Sequence, residues 1–223
     1  MSASDVSTPK CCDETWHYSL SCLDNSNFMP AKILAIFTAP AVMTGCASTT
    51  IEITGTRPTQ PLCHAGQPAV STMIYWGTQW RPDQKKSLLR EAAAQIGIED
   101  FVRRAGCMAV LSIQRLPAAI SAPTNEELRR LVTNLPPAPE QVLLIVVHEL
   151  GPRLVIGIPV IVAGGTEVQI EVRLMNPKTA EPLANTQALW QNGGPFVIKG
   201  VKTLNQDMSD ALNAVLMRGM ASP

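Results

Sequence analysis

The alternation of hydrophobic and polar residues is clearest between positions 168 and 174. Seven residues alternate there, in the order Val168, Gln169, Ile170, Glu171, Val172, Arg173 and Leu174. Because successive side chains of a strand point to opposite faces, this pattern predicts a half-buried β-strand. The polar segment 176–181 then predicts a turn, and residues 183–191 predict a strand that returns antiparallel.

The most apolar segment of the domain covers residues 141–150. A short continuous run rich in Val and Ile is typical of a strand that is buried on both faces, so we predict a central strand here. A separate strand is predicted over 154–162, where Pro159 favours an edge position or a bulge. Residues 163–166 and 192–195 contain paired glycines and predict a turn and a tight loop.

Two strands are predicted earlier in the domain, over residues 72–80 and 107–116, with a helix between them. The helix is predicted from apolar residues that recur at helical spacing, namely Leu88, Leu89, Ala92, Ala93 and Ile96. Gly97 is expected to interrupt it, and residues 99–105 predict a second short turn or two of helix. Gly106 is expected to end that segment, because glycine accepts the left-handed conformation found at helix ends.

Two further helices have start signals. Thr124 and Glu127 form a capping-box pattern, which predicts a short helix to Asn134. Thr203 and Gln206 repeat that pattern before the last helix. This last helix is predicted to bury one face, made of Met208, Ala211, Leu212, Val215 and Leu216.

The order of these elements predicts an α+β fold over residues 71–218. We expect a single mixed or antiparallel sheet with helices packed on one face, as a two-layer sandwich. Residues 46–70 are rich in Thr, Pro and Gly and predict a flexible tether, within which 51–53 offers a short edge strand. Residues 1–28 are acidic and lack periodicity, so we interpret them as a misassigned, disordered start before Met29.

A secretory signal is indicated just after Met29. Lys32 precedes an apolar run over residues 33–42, and small residues come before Cys46. Thr44, Gly45 and Cys46 resemble the lipobox of bacterial lipoproteins, although Met43 stands where that family usually has Leu. The resemblance implies that residues 29–45 are removed and that Cys46 is acylated as the new N-terminus.

The alternative interpretation of this segment is a buried apolar helix with an incidental cysteine. Its 10–14 apolar residues are too few to span a bilayer. Pro40 would break such a helix, which favours the signal peptide. Ala47, by analogy with enterobacterial sorting, favours the outer membrane and an anchor that faces the periplasm.

The segment from Val172 to Glu181 resembles the strand-turn-strand of accessory lipoproteins with folds like the N-terminal domain of TolB or like CsgG. Ala180 stands where those proteins usually have Gly. The resemblance implies a non-enzymatic component of an envelope assembly, transport or secretion system, with protein partners in the cell envelope.

Composition argues against several other classes of function. Removal of residues 1–45 takes away two cations and four anions, which leaves 16 cations against 14 anions. Such a balance provides no basic field for nucleic acid, so we expect no nucleic-acid partner. The mature chain also has no run of 18 apolar residues, and its few aromatics disfavour an aromatic-lined cofactor cleft.

The cysteines of the mature chain predict one disulfide. Cys63 and Cys107 remain after processing, in a compartment that would be oxidising. The alternative is two unpaired thiols, with Cys107 as a small core residue.

His148 and Glu149 are the candidates for acid–base chemistry, at the end of the predicted central strand. Neighbouring residues of a strand point to opposite faces, so we favour a structural histidine over a catalytic one. The mature chain holds only His64 and His148 and has no ligand pair at metal-binding spacing. We therefore expect no enzyme, no metal and no cofactor, and keep as the alternative a small periplasmic enzyme or ligand-binding sensor with a site near His148.

Overall fold

The computed structural model describes residues 48–58, 61–64, 66–133, 137–157, 161–195 and 197–217. Within these ranges the strands are β1 Ser48–Thr56, β2 Val70–Thr78, β3 Met108–Arg115, β4 Gln141–Gly157, β5 Ile161–Met175 and β6 Pro182–Pro195. The α-helices are α1 Ser87–Ala105, α2 Asn125–Val132 and α3 Leu204–Leu216. In the part of the chain so described, no helix is both long enough and apolar enough to cross a membrane.

The strands form one mixed sheet in the order β1-β6-β5-β4-β2-β3. β2 pairs in parallel with both β3 and β4, whereas the pairs β4–β5, β5–β6 and β1–β6 are antiparallel. The predicted α+β class with a single mixed sheet is therefore confirmed. β4 lies inside the sheet, as its apolar sequence predicts, and the residues from Val142 to Val147 are fully buried.

The helices cover both faces of the sheet, which the prediction of helices on one face did not include. One core contains side chains of α1 and α3. A second core, on the other face, contains Leu128 and Val132 of α2. Crossovers between parallel strands are right-handed. The path from β2 to β3 and the path from β3 back across β2 to β4 run in opposite directions, so their helices must lie on opposite faces.

The hairpin of β4 and β5 extends much further than the sequence pattern predicts. The separate strand over 154–162 and the turn over 163–166 are wrong, because Leu154 pairs with Gly164 inside one continuous ladder. The loop predicted over 192–195 is likewise the end of β6. Here glycine marks close approach between strands, since a Cβ atom on Gly165 would collide with the carbonyl oxygen of Asn192.

α1 is one continuous helix, and it buries a different face from the one predicted. Its buried residues are Ala94, Gly97, Ile98 and Phe101, whereas Leu88, Leu89 and Ile96 are exposed. Gly97 does not interrupt the helix but permits close contact with α3. A Cβ atom at this position would lie 2.6 Å from the Cβ atom of Met208.

The prediction of a flexible tether is wrong for Ser48–Thr56, because these residues form the edge strand β1, and the short edge strand predicted at 51–53 is confirmed as part of it. Ile51 and Ile53 are half-buried and alternate with exposed polar residues, which is the pattern of a strand with one covered face. Further on, Leu62 is buried and its N–H donates to the carbonyl oxygen of Leu216 at 3.0 Å. The predictions for residues 1–28 and 29–45 lie outside the described residues.

The two predicted capping boxes have different outcomes. At α2, Thr124 and Glu127 form the reciprocal bonds of a capping box, which confirms that prediction. The hydrogen bond from the Thr124 N–H lowers the pKa of the Glu127 carboxyl. At α3 no such box forms, and the hydroxyl of Thr203 instead donates to Asp207 Oδ2 at 3.1 Å. The predicted buried face of α3 is confirmed.

Candidate functional site

A β-bulge in β4 places His148 and Glu149 in one cleft. The pairing register between β4 and β5 shifts between Val147 and Glu149. A bulge interrupts the alternation of side chains, so the prediction that these two residues point to opposite faces is wrong. Both line an open cleft of about 330 Å³. Its other lining residues are Gln79, Arg81, Glu167, Gln169, Ile170, Glu171 and Gln187.

The carboxylate of Glu149 is occupied by donors from the start of α1 and the segment before it. Its Oε1 atom accepts from Gln84 Nε2 at 2.9 Å and from Arg90 Nη1, and its Oε2 atom accepts from Arg81 Nη2 at 3.0 Å. With 12 % of the side chain exposed, Glu149 is mostly removed from water. The carboxylate therefore joins α1 and the segment before it to β4. Because its oxygens already accept these hydrogen bonds, Glu149 is not a free base.

Arg90 also covers a part of the β4 backbone that is not paired within the sheet. β2 ends at Thr78, so no strand within the described ranges lies beside this edge of β4 beyond Val147. Gln79 donates its N–H to the carbonyl oxygen of Val147 at 2.9 Å. Arg90 Nη1 donates to the carbonyl oxygen of Leu150 at 2.8 Å. Arg90 thus satisfies an acceptor that a neighbouring strand would otherwise bind.

His148 has a looser environment. Its Nε2 atom lies 3.9 Å from Glu171 Oε2, which is too far for a hydrogen bond. Glu171 is itself engaged, since its Oε1 atom lies 2.9 Å from Arg173 Nε. His148 is therefore a partly exposed imidazole beside an already paired carboxylate.

The chemistry available in this cleft is limited. Among the described residues that line it, there is no hydroxyl, thiol or amine side chain that could act as a nucleophile. A small-molecule site usually has an apolar lining with a few convergent polar groups, and here Ile170 is the one apolar residue that lines the cleft within the described ranges. In the same part of the chain, no three His, Cys, Asp or Glu residues lie together as a metal site would require.

The structure joins Cys63 and Cys107 in a disulfide, with their Cα atoms 5.7 Å apart. Both residues are buried. The bond connects the segment after β1 to the residue before β3. Cys46, the predicted lipidation site, lies outside the described residues and stays a prediction.

Sequence reasoning missed the partners of Glu149. Arg81, Gln84 and Arg90 lie 59 to 68 positions away from it along the chain. Local sequence patterns do not predict such long-range pairs. The exposed start of a helix is normally rich in polar residues, so these three residues do not stand out in the sequence. The one available signal was the placement of Glu171 on the polar face of the alternating strand, which puts it near His148.

No protein-family model matches this sequence, and no curated protein matches it either. Comparison with solved structures found several matches of low similarity. The PelC dodecamer from Paraburkholderia phytofirmans is 15% identical, with 76% of this chain and 99% of that chain covered and a TM-score of 0.39. The lipoprotein GNA1162 from Neisseria meningitidis is 17% identical, with coverage of 66% and 98% and a TM-score of 0.35. At these TM-scores the similarities assign neither family nor function.

Proposed function

We propose that this chain is a lipid-anchored protein of the bacterial envelope that acts without catalysis, as a structural or accessory component of an assembly, transport or secretion system. The observation that carries the proposal is the apolar run over 33–42 followed by Thr44, Gly45 and Cys46. In this account Cys46 carries the lipid and the domain faces the periplasm, at the outer membrane.

The position of β1 makes the anchor short. The strand begins at Ser48, two residues after Cys46. Two residues span at most about 7 Å, so an acylated Cys46 would hold the end of the sheet against the bilayer. The folded domain would then have a restricted orientation on the membrane, which suits a component of a fixed assembly better than a freely diffusing enzyme.

The anchor is tested by fractionation of cells that produce the Cys46→Ala chain. One buried acyl chain gives only marginal membrane binding, and the chains added to a lipoprotein cysteine together give a lasting anchor. We expect the wild-type protein in the membrane fraction and Cys46→Ala either released or left unprocessed. Recovery of Cys46→Ala in membranes, in the same mature form as wild type, would contradict the proposal. Ala47→Ser is the matched control and should behave as wild type.

Two features of the cleft support the absence of catalysis. Glu149 already accepts hydrogen bonds from Arg81, Gln84 and Arg90, and His148 makes no hydrogen bond to a described residue that would orient its ring for proton transfer. Partners in the envelope would be identified by crosslinking in cells followed by mass spectrometry.

The second candidate is an enzyme or ligand sensor that uses His148. It is favoured by the bulge, which brings His148 and Glu149 to one cleft. Complementation of a deletion strain separates the two candidates when protein levels are measured alongside. We expect His148→Gln to be abundant and functional, because the imidazole makes only a long contact.

Val146→Asp is the matched disruptive variant for this test. It should remove the protein, because it buries a charge without a partner in the central strand, and Val146 is fully buried. A folded, abundant and inactive His148→Gln protein would favour the enzyme or sensor.

A further inference from the structure

The most exposed large apolar side chains lie toward the same end of the sheet. Among the described residues, five large hydrophobic side chains are more than half exposed: Leu88 at 78%, Leu89 at 56%, Leu154 at 61%, Ile156 at 69% and Ile198 at 86%. We call these five residues the apolar end. Exposed apolar residues that are scattered singly need no explanation, but a group at one end indicates a contact surface.

Contacts along the sheet show that the five residues share this end. Leu154 pairs with Gly164 and Ile156 pairs with Val162 in the β4–β5 ladder. Val197, next to Ile198, places its carbonyl oxygen against Gly164. On the other side of β4, Arg90 follows Leu89 in the chain and contacts Gly151.

The β4–β5 hairpin is uncovered on both faces at this end. Leu154, Val155 and Ile156 are consecutive residues of a strand, so they point alternately to its two faces. All three are exposed, at 61%, 43% and 69%. Neither α1 nor α2 therefore shields the hairpin here, and these three residues lie outside both cores that the described residues form.

The chain enters the sheet from the same end. Ser48 pairs with Gly193, Gly193 pairs with Gly165, and Gly165 pairs with Arg153, the residue before Leu154. Ser48 is thus about 14 Å from Arg153 across three strand spacings. β1 runs away from the apolar end, so the residues before Ser48 join the sheet on the side of the hairpin.

The lipid site at Cys46 and the hairpin residue Ile156 can also reach the same bilayer surface. Cys46 is within about 7 Å of Ser48, since two residues can span no more. Ile156 lies about 10 Å beyond Arg153 along the strand, at about 3.3 Å per residue. A bilayer that holds a lipid on Cys46 is therefore within reach of Ile156.

The charges around the apolar end suit a membrane surface. Lys85 and Lys86 are exposed just before Leu88, and Lys202 is exposed shortly after Ile198. Arg153, next to Leu154, is half-exposed. Three of the nearby anions are already paired, since Glu149, Glu167 and Asp207 each contact a cation. Arg153 is the cation that pairs with Glu167, and the exposed anion Asp83 lies beside Lys85, so the free positive charge comes from Lys85, Lys86 and Lys202, which form no ion pair with a described residue. Exposed cations beside apolar side chains favour contact with anionic lipid headgroups.

We propose that the apolar end is a second membrane-contact surface, which places Leu154 and Ile156 at the boundary between headgroups and acyl chains. The bilayer is the one that holds the lipid on Cys46, so this inference rests on the proposed function. The contact fixes the orientation of the domain on the membrane. The end of β4 with Leu154 and Ile156 faces the lipid surface, and the turn between β5 and β6 points away from it.

The test uses an added tryptophan as a reporter of depth. Ile156→Trp and the matched control Leu183→Trp are prepared as full chains, purified from cells and placed in phosphatidylethanolamine–phosphatidylglycerol vesicles whose acyl chains are brominated. Leu183 is a suitable control because it is 49% exposed and lies at the opposite end of the sheet, beside the β5–β6 turn. Circular dichroism checks that both variants are folded.

The inference predicts that bromine quenches at least about half of the emission added by Ile156→Trp, and little of that added by Leu183→Trp. Equal, weak quenching of both variants in an acylated protein would overturn the inference and leave the anchor standing. If the end instead packs against a second copy of the chain, Ile156→Trp remains unquenched, which also overturns it.

A second arm separates this inference from the anchor itself. The mature chain, which begins at residue 46, cannot be acylated when Cys46 is replaced by Ser, and it lacks the apolar run over 33–42 that could itself bind vesicles. Its flotation with the same vesicles is compared in two double variants. Leu154→Ser with Ile156→Ser should lower vesicle binding about tenfold or more, because two apolar side chains no longer leave water. Leu183→Ser with Ile96→Ser, at 49% and 48% exposure, should leave it unchanged.

If mass analysis finds no lipid on Cys46, the proposed function fails. A tenfold difference between the two double variants would still support the apolar end as a lipid-contact surface. No difference between them would overturn it.

Discussion

Ala180 has a backbone conformation that normally belongs to glycine. Its φ angle is 60°, in the left-handed region, within the turn between β5 and β6. Its N–H donates to the carbonyl oxygen of Asn176 at 2.9 Å, and the Asn176 N–H donates to the carbonyl oxygen of Glu181 at 3.0 Å. These bonds hold the turn closed, so Ala180 cannot relax to a more favourable φ angle without loss of a hydrogen bond.

Ala180→Gly should therefore stabilise the domain. The left-handed conformation costs alanine about 1–2 kcal/mol, and glycine avoids this cost. The greater freedom of glycine in the unfolded chain offsets about 0.4–1 kcal/mol of that gain. We expect a net gain of about 0.5–1 kcal/mol in the free energy of unfolding, measured by urea denaturation. Gly106→Ala is the matched control. With a φ angle of 64° at the end of α1, it should lose stability by a similar amount. A loss of stability in Ala180→Gly would contradict this account of the turn.

Among the elements, the disulfide joins two segments that are distant in the chain. Cys63 belongs to the segment after the edge strand β1, and Cys107 precedes the opposite edge strand β3. The residues are 44 positions apart. In the chain-entropy model a loop of this length contributes about 4 kcal/mol, because the bond restricts the unfolded chain.

Cys63→Ser should therefore lower the free energy of unfolding by about 4 kcal/mol. The expected result for Cys107→Ser and for the double variant is the same loss, since one bond is removed in each case. Urea denaturation of the periplasmic protein under non-reducing conditions measures it. Non-reducing peptide mapping that finds both thiols free in the wild-type protein would contradict the pairing.

Local patterns predicted several elements well, for physical reasons. Strict alternation identified β5, the continuous apolar run identified β4, and the spacing of apolar residues identified the buried face of α3. In each case the residues of the segment itself determine which of its side chains are buried. The capping box of α2 is equally local, because Thr124 and Glu127 satisfy each other's backbone.

The errors came from features that depend on distant parts of the chain. The buried face of α1 is set by α3, against which Gly97 packs, and so the larger Leu88 and Leu89 remain exposed. The paired glycines at 164–165 and 193–194 were interpreted as turns, although they lie within strands that approach each other closely. The bulge at His148 depends on the pairing of β4 with β5, and this decided the geometry of the candidate site.

At the scale of the whole molecule, the sheet has two unlike ends. One end holds the start of β1 and the exposed hairpin residues Leu154 and Ile156. The other end holds the polar turn between β5 and β6, with Lys178 and Glu181 exposed. An anchor at Cys46 would direct the first end to the membrane and leave the second for envelope partners.

The central claim is that Cys46 is the acylated N-terminus of the mature protein. Mass spectrometry of the N-terminal peptide, from protein isolated from the native cells without overproduction, tests it most directly. We expect a peptide that begins at Cys46 and carries diacylglycerol and a further acyl chain, with no peptides from residues 1–45 in the mature protein. An unmodified Cys46 within a longer peptide, or peptides from residues 2–28 in the mature protein, would contradict it.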